Sequence, residues 1–410
     1  MTTTAGSRAI AVAVAMVGAA VVTAASPAGP ANAVPINGCP ALFILGVQGT
    51  GQSSPGADPL ADTGVVGSLI GPVISTVPGL VQRAYVGYEA GFGGIVPGGG
   101  ADPYASSVSG ARAHLDAAAV EVVESCPNTM LAGVGYSQGA QAMASFARDV
   151  GTGNGPIPAD RVAGIALYAN PDRAELEPVF PGRPGQTVPD AAPGTSGAAV
   201  SMVQVLAAPA GGAGIATTSD GYGALTGRVA DICSDGDLAC SAPGQASVLR
   251  LGAEIFAQAD LTNPLGAIST LSTALSEALG DAWNTVILHD FQVGNGDVDY
   301  APQTGLGNRL VDAGDLRVPA ADPAAAGARW SEIVAAAQVN PVVVVPKLIA
   351  QLGAAWSQLA AENAELINPS TWVRFADTVG RHNGYALTGQ MNSGIAWMIA
   401  LAHDLAGASS

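Results

Sequence analysis

The chain has 410 residues, of which 49% are hydrophobic and 11% charged, and 32 acidic against 15 basic side chains give a formal charge of −17. This composition is typical of a folded globular protein and excludes a disordered chain. With one lysine, Lys347, and a strong acidic excess, the chain lacks the basic face that binds nucleic acid or an anionic membrane surface. We therefore expect neither as a partner.

The amino-terminal segment is typical of a secretory signal peptide. A single cation, Arg8, precedes an apolar run at residues 9–25, and a small-residue cleavage motif follows at 31–33. The alternative is an uncleaved anchor helix, but the run is short for a span and prolines follow it closely, at Pro27 and Pro30. The pattern predicts a signal peptide at residues 1–33 and an extracellular mature protein.

Four cysteines, Cys39, Cys126, Cys233 and Cys240, lie beyond this segment. An even number in an exported chain indicates two disulfides, for which three pairings exist. Only six residues separate Cys233 from Cys240, which suits a local bond and leaves Cys39 with Cys126. The alternative is four buried free thiols. A metal site is disfavoured because neither C-x-x-C pairs nor suitably spaced histidines accompany the cysteines.

The first half of the mature chain alternates between strands and helices. Apolar runs predict buried strands at 41–47, 130–134 and 162–168, the first followed by a glycine-rich turn. Apolar residues at spacings of three and four predict a helix at 106–125, and a second helix is predicted at 140–150. This alternation predicts an α/β fold with a mostly parallel sheet covered by helices on both faces.

The remaining segments differ in pattern. Residues 181–218 are rich in proline, glycine and alanine, which predicts an irregular, mobile surface excursion. Leucines and isoleucines then recur at helical spacing after residue 240, which predicts a helical insertion or lid. An apolar helix at 394–405 is expected to pack on the sheet. The predicted divisions are a core at 34–240, the insertion at 241–370 and a carboxyl-terminal part of the core at 371–410.

A candidate nucleophile lies between the second strand and its helix. Residues 135–139 match the glycine-x-serine-x-glycine pattern, with Ser137 at its centre. The pattern alone is weak in a chain with 54 glycines, but here a strand enters it and a small-residue helix leaves it. The two glycines permit the close approach of strand and helix in such a turn, and the helix amino terminus favours a developing negative charge.

A serine in this kind of turn needs an acid and then a histidine later in the chain. His114 precedes the serine, and His403 lies near the end of the last predicted helix, so neither is favoured. His289 and His382 both come in the required order. His382 is preferred because its glycine-rich, loop-like surroundings would let it reach over the sheet edge.

The candidate acids are Asp235 and Asp237, between Cys233 and Cys240. A disulfide there would hold a carboxylate in place in a region with little regular structure. Spacing alone does not choose between the two aspartates, and both could instead be solvated turn residues.

At these residues the sequence resembles the cutinase family of secreted serine esterases, in particular the longer cutinase-like lipases and esterases of actinobacteria that contain mycolic acids. The resemblance rests on Cys39-Pro40, Gly49-Thr50, Ser125-Cys126-Pro127, the motif at 135–139, and Cys233 to Cys240. It implies a three-layer αβα hydrolase of the cutinase type, here with a helical insertion between the catalytic acid and the histidine.

The resemblance also implies site residues. The family's Cys-x-x-x-Asp-x-x-Cys pattern selects Asp237, and the tyrosine that follows the family's histidine by three places matches Tyr385 and so selects His382. It implies an oxyanion hole built from Gln138 and Thr50, although Thr50 could be an ordinary turn residue. The insertion would emerge near the mouth of the site.

The sequence therefore predicts a secreted serine carboxylic-ester hydrolase that acts on a lipid or polyester substrate, without a metal or organic cofactor. One alternative is a phospholipase, thioesterase or acyltransferase for envelope lipids that uses the same three residues. Another is an inert protein that binds the cell envelope. An association with the envelope is a further expectation, and the sequence does not decide the oligomeric state.

Overall fold

The computed structural model describes residues 33–218, 220–294 and 296–408. The strands are β1 (Leu42–Val47), β2 (Val81–Tyr85), β3 (Met130–Tyr136), β4 (Val162–Tyr168), β5 (Val229–Ile232), β6 (Phe291–Gly294) and β7 (Asp297–Tyr300). The helices are α1 (Gly64–Thr76), α2 (Tyr104–Ser125), α3 (Gln138–Thr152), α4 (Leu238–Ser241), α5 (Ser247–Ala257), α6 (Pro264–His289), α7 (Leu306–Gly314), α8 (Pro323–Val339), α9 (Pro341–Glu362), α10 (Pro369–Arg374), α11 (Thr378–Asn383) and α12 (Asn392–Ala408). The predicted signal peptide, residues 1–33, lies outside the described residues apart from its last position.

A five-stranded parallel sheet with strand order β2-β1-β3-β4-β5 forms the centre of the molecule. Alternate side chains of β1 point to opposite faces. Leu42 and Ile44 pack with α1 and α12 on one face, whereas Phe43 and Leu45 pack with α2 and α3 on the other. The fold is thus a three-layer αβα arrangement, and burial on both faces explains the continuous apolar runs of the strands.

The sheet places three loops side by side. Because its strands are parallel, the carboxyl ends of β3, β4 and β5 meet at the same edge, which is where open α/β sheets bind their ligands. The loop after β3 carries Ser137, and the loop after β5 carries Asp237. Residues distant in sequence are brought together at this edge.

The segment at 181–218 is irregular, as predicted, with one short 3₁₀ turn at Val200–Met202. The expectation of a surface excursion is wrong for part of it, because Val200 and Val205 are buried in the core beneath α12. Asp404 of α12 accepts hydrogen bonds from the backbone N–H groups of Ala199 at 2.8 Å and Val200 at 3.0 Å. The segment is therefore attached to the core by both apolar and polar contacts.

The predicted insertion, residues 241–370, lies between α4 and α11, and the chain between these two helices is called the insertion below. It contains α5 to α10 and also the antiparallel pair β6–β7, so the expectation of a purely helical segment needs correction. The Asn-Gly sequence before β7 is a strong hairpin signal. The insertion has its own apolar cluster around Val286, Phe291 and Val298. It contacts the core where the ring of Phe256 lies 6.4 Å from that of Phe92.

Candidate active site

Ser137 occupies the sharp turn between β3 and α3. Its backbone has φ 54° and ψ −122°, in the left-handed half of conformational space that is costly for a residue with a side chain. A Cβ on Gly139 would lie 2.2 Å from the carbonyl oxygen of Val47, and one on Gly135 would lie 2.7 Å from the Cα of Ala140. Glycine is therefore required on both sides of Ser137, and the turn lifts the hydroxyl above the sheet edge.

Ser137, His382 and Asp237 form a continuous chain of hydrogen bonds. The Nε2 atom of His382 lies 2.9 Å from Ser137 Oγ. Its Nδ1 atom lies 2.9 Å and 3.0 Å from the two carboxylate oxygens of Asp237. The structure thus brings together the three residues that the sequence analysis selected, in the geometry by which a histidine can take a proton from a serine hydroxyl while a carboxylate orients the ring.

The short loop closed by the Cys233–Cys240 disulfide holds Asp237 in place. The carboxylate is fully buried and accepts the backbone N–H of Ala239 at 3.0 Å as the N-cap of α4. The hydroxyl of Tyr385 donates a second hydrogen bond to it at 2.9 Å and accepts the backbone N–H of Ser234 at 2.8 Å. Tyr385, which the sequence analysis used only as a family match, therefore orients the acid.

His382 lies in the short helix α11, so the expectation of a loop at this position is wrong. The hydroxyl of Tyr136 donates a hydrogen bond to the carbonyl oxygen of His382 at 2.7 Å, and the two rings are 5.3 Å apart. Tyr136 occupies the first x of the glycine-x-serine-x-glycine pattern, directly before Ser137. The same strand end thus positions both the serine and the histidine.

The other candidate acid, Asp235, has a different environment. Its side chain is 44% exposed, forms a salt bridge with Arg374 and accepts the backbone N–H of Gly211 at 3.1 Å. Partial burial alone would raise the pKa of Asp235, but the hydrogen bonds from Arg374 and Gly211 outweigh that effect and hold the pKa below its usual value. This aspartate connects α10 to the disulfide loop.

The remaining histidines lie in other surroundings. His289 is exposed at the end of α6, and His403 is exposed on α12. The Nδ1 atom of His114 lies 2.7 Å from the carbonyl oxygen of Gly87.

Gln138 is the first residue of α3, so its backbone N–H belongs to the turn of N–H groups that the helix itself does not use. Its buried side chain donates hydrogen bonds to the carbonyl oxygens of Gly91 at 3.0 Å and Tyr104 at 3.3 Å. Thr50 lies in the half-buried turn after β1. That turn approaches the nucleophile, since a Cβ on Gly49 would lie 3.2 Å from Ser137 Cβ.

Sequence reasoning missed a buried charged cluster beside the site. Asp172, which follows β4, is almost fully buried and accepts hydrogen bonds from Gln141 at 2.9 Å, Arg148 at 2.7 Å and Arg317 at 2.8 Å. Arg317 belongs to the insertion, whereas Gln141 lies one turn after Ser137 in α3. The position of Asp172 just beyond a predicted strand end was the signal that could have identified it. Within the described ranges, no group of three or more His, Cys, Asp or Glu side chains is arranged to hold a metal ion.

The family model named Cutinase matches residues 38–251, which is about half of the chain. The chain belongs to the cutinase family. Its match therefore covers the sheet, the serine turn and the disulfide loop, and ends within α5 at the beginning of the insertion.

Two curated relatives of this cutinase-family chain are esterases by name. It is 30% identical over 217 residues to the carboxylesterase Culp6 homolog of Corynebacterium glutamicum, an alignment that covers 50% of this chain and 66% of the relative. It is 34% identical over 119 residues to acetylxylan esterase 2 of Talaromyces purpureogenus, covering 28% of this chain and 47% of the relative. The chain thus spans about two thirds and about half of these relatives.

Among solved structures, the chain is similar to the catalytic core domain of acetyl xylan esterase from Trichoderma reesei. The match has 19% identity and a TM-score of 0.34, and covers 58% of this chain and 99% of that domain.

Proposed function

We propose that this protein is a secreted serine carboxylic-ester hydrolase that works through a covalent acyl-enzyme. Ser137 is the nucleophile, His382 the general base and Asp237 the residue that orients the imidazole. The observation that carries the proposal is the hydrogen-bonded chain from Ser137 Oγ through His382 to the buried Asp237. Membership of the cutinase family and two relatives named as esterases support ester hydrolysis.

The arrangement suggests the following sequence of steps. Ser137 Oγ attacks the ester carbonyl while His382 Nε2 accepts its proton, and the imidazolium then gives that proton to the leaving alcohol. Asp237 accepts a hydrogen bond from Nδ1, which keeps Nε2 free to act as the base and stabilises the imidazolium. A water molecule, activated by the same histidine, then releases the acyl group from Ser137.

The developing oxyanion would form next to the first turn of α3. The backbone N–H of Gln138 and the positive end of the helix are available there, and Thr50 would supply a further donor from the turn after β1. Each such donor contributes about 3 kcal/mol of transition-state stabilisation in comparable sites. The side chain of Gln138 is held by Gly91 and Tyr104, so its backbone is fixed before the substrate arrives.

Two further features support secretion and the choice of substrate. The disulfides Cys39–Cys126 and Cys233–Cys240 are both formed, as is typical of proteins outside the reducing cytosol. Ser137 is only 8% exposed, and the insertion packs against the core through Phe256 and Phe92, which favours a flexible ester chain over a large rigid polymer.

A fluorophosphonate probe and a soluble ester test this function. We expect the probe to label Ser137, identified by mass spectrometry, and the protein to hydrolyse p-nitrophenyl butyrate. Ser137→Ala should abolish both, while Ser201→Ala, at an exposed serine of the 3₁₀ turn, should change neither. Hydrolysis that survives Ser137→Ala, or a label on another residue of the folded protein, would refute the proposal.

A further inference from the structure

The long helix α9 of the insertion exposes an apolar stripe. Val342, Val345, Ile349, Leu352 and Trp356 follow one another at spacings of three, four, three and four, so they lie on one face of the helix. Their exposed fractions range from 43% to 82%. The stripe, called the α9 stripe below, extends over fourteen residue steps, or about 21 Å at 1.5 Å per residue.

A neighbouring face of α9, about a quarter turn from the stripe, packs against the insertion. Val344 is buried in the apolar cluster of the insertion, and Leu348 and Ala355 pack against the same cluster. Among the described residues, α9 is the helix long and apolar enough to cross a membrane, yet only 11% of its apolar window is buried. A helix that packs along one side and exposes an apolar stripe on the adjacent side is suited to lie at the surface of a nonpolar phase rather than in water.

The tryptophans of the chain have a matching distribution. Four of the five, Trp283, Trp330, Trp356 and Trp372, lie in the insertion and are 41–65% exposed, while Trp397 is fully buried in the core. Tryptophan is enriched at interfaces between water and lipid, because its ring is largely apolar and its N–H can remain hydrated. The insertion therefore has the surface composition of an interfacial element, whereas the core does not.

The charge of the protein determines which kind of lipid surface the α9 stripe can bind. None of the five residues of the α9 stripe is ionisable, and the one cation of α9, Lys347, is bound by Asp297 at 2.5 Å and Asp299 at 3.0 Å. The chain as a whole carries −17. An anionic surface would repel it, and the basic face that anchors many interfacial helices to such surfaces is missing from the α9 stripe.

We propose that the α9 stripe adsorbs this protein to the surface of aggregated, uncharged lipid. Further exposed apolar side chains follow α9 in the sequence: Ile367, Val373, Val379 and Leu387 are 70–89% exposed, and Val379 lies one turn before His382 in α11. This surface goes beyond ester hydrolysis, because binding to lipid requires no reaction at Ser137.

Flotation with phosphatidylcholine vesicles tests the proposal. The variant combines Ile349→Gln, Leu352→Gln and Trp356→Gln, and we expect it to lower the partition coefficient into the vesicles at least tenfold. A version with alanine at the same positions keeps the highest helix propensity and serves if the first variant does not fold, as judged by circular dichroism. Adding phosphatidylglycerol to the vesicles should weaken binding of the wild type at low salt.

The matched control replaces three other exposed apolar side chains. Leu176→Gln, Met202→Gln and Leu206→Gln change residues that are 60–84% exposed on the core, and this variant should float like the wild type. Equal loss in both variants, or a wild type that does not float, would overturn the proposal. So would a wild-type dimer in light scattering that the α9 variant dissociates, since a second copy would then be the occupant.

The result is independent of the proposed function. Ser137→Ala should float as well as the wild type, because adsorption uses α9 and not the reacting hydroxyl. If Ser137→Ala retained hydrolysis, the proposed chemistry would fail while the flotation result stood. If flotation failed but Ser137→Ala abolished hydrolysis, only the lipid surface would be lost.

Discussion

At the scale of single residues, the proposed nucleophile Ser137 has a strained backbone. Holding a non-glycine residue at φ 54° costs about 1–3 kcal/mol, and neighbouring contacts must offset that cost. The backbone N–H of Ser137 donates a hydrogen bond to the carbonyl oxygen of Tyr168, at the end of β4, at 2.9 Å. The carbonyl oxygen of Ser137 accepts one from the backbone N–H of Gln141 at 3.0 Å. The sheet and the first turn of α3 therefore hold the serine from both sides.

Asp237 and Asp235 provide a matched pair for testing the role of the acid. Asp237→Asn should lower kcat for p-nitrophenyl butyrate by about a thousand- to ten-thousand-fold, because an amide favours the wrong tautomer of His382 and cannot stabilise its charged form. Asp235→Asn should leave kcat within about threefold, since its partner is Arg374 and the exposed ion pair contributes only about 0–1 kcal/mol. A larger loss for Asp235→Asn than for Asp237→Asn would contradict the assignment.

Residue spacing alone could not make this choice between the two carboxylates, and only the resemblance to the family selected Asp237. Both lie on the same disulfide loop, and spacing says nothing about which side chain turns inward. The difference arises in three dimensions: Asp237 caps α4 and is buried beneath Tyr385, whereas Asp235 faces Arg374. Ser137 was easier to predict because the glycines around it report a local backbone shape.

At the scale of elements, the sequence predicted the strands and helices whose residues follow one clear hydrophobic pattern. The buried strands β1, β3 and β4 are continuous apolar runs, and α2 has a regular amphipathic spacing. The helix α1 was not predicted, because three glycines and Pro72 give it low intrinsic propensity, and packing against the sheet and α12 overrides that weakness. The strand β2 was not predicted either, because it is short, lies at the sheet edge and has polar residues that interrupt its apolar run.

The insertion shows a second limit of periodicity. The helical spacing of Leu265, Ile268, Leu271, Leu275 and Leu279 correctly predicted the helix α6, but all except the half-buried Leu271 are at least 42% exposed. Helical spacing indicates that apolar residues share a face, and it does not say whether that face packs against protein. The α9 stripe behaves in the same way, so the surface proposed to meet lipid was visible in the sequence only as amphipathicity.

The two disulfides are expected to contribute differently to stability and activity. Cys39–Cys126 closes a long loop, with a sequence separation of 87, and its removal should cost about 4–5 kcal/mol by loop-closure entropy. Cys233–Cys240 has a separation of 7, for which the same model gives about 2–3 kcal/mol. However, the smaller loop carries Asp237, so its loss should disturb the site more.

Two double variants with alanine test this expectation. Cys39→Ala with Cys126→Ala should lower the free energy of unfolding in urea more, with kcat near the wild-type value at a temperature where the variant is folded. Cys233→Ala with Cys240→Ala should lower kcat at least tenfold with the smaller loss of stability. The opposite ranking in both measurements would show that the small loop does not position the acid.

At the scale of the whole molecule, a cluster of charged side chains joins the insertion to the core. Arg317 of the insertion pairs with Asp172 of the core at 2.8 Å and with Asp315 at 2.8 Å, and it lies 3.8 Å from Glu254 of α5. Burial, followed by the charge of Asp315, raises the pKa of Glu254 from 4.5 to about 8, against the opposing effect of Arg317. The cluster connects the candidate lid to the loop that follows β4.

This carboxyl group makes the stability of the protein dependent on pH. Below pH 4.5 Glu254 is protonated in both the folded and the unfolded states, whereas between pH 4.5 and about 8 only the folded state retains the proton. Glu254 then binds more protons in the folded state than in the unfolded state, so its contribution to the free energy of unfolding falls as the pH rises through this range. Asp231, whose pKa is raised to about 7 chiefly by burial, acts in the same direction.

Urea unfolding at pH 5.5 and pH 8.5 measures this effect. We expect the wild type to be less stable at pH 8.5, and Glu254→Gln, which resembles the protonated side chain, to remove much of the difference by gaining stability at the higher pH. Glu277→Gln, at an exposed position of α6, should retain the wild-type dependence. A Glu254→Gln variant that keeps the wild-type difference between the two pH values would mean that Glu254 releases its proton in the folded state near neutral pH and that Arg317 compensates its charge fully.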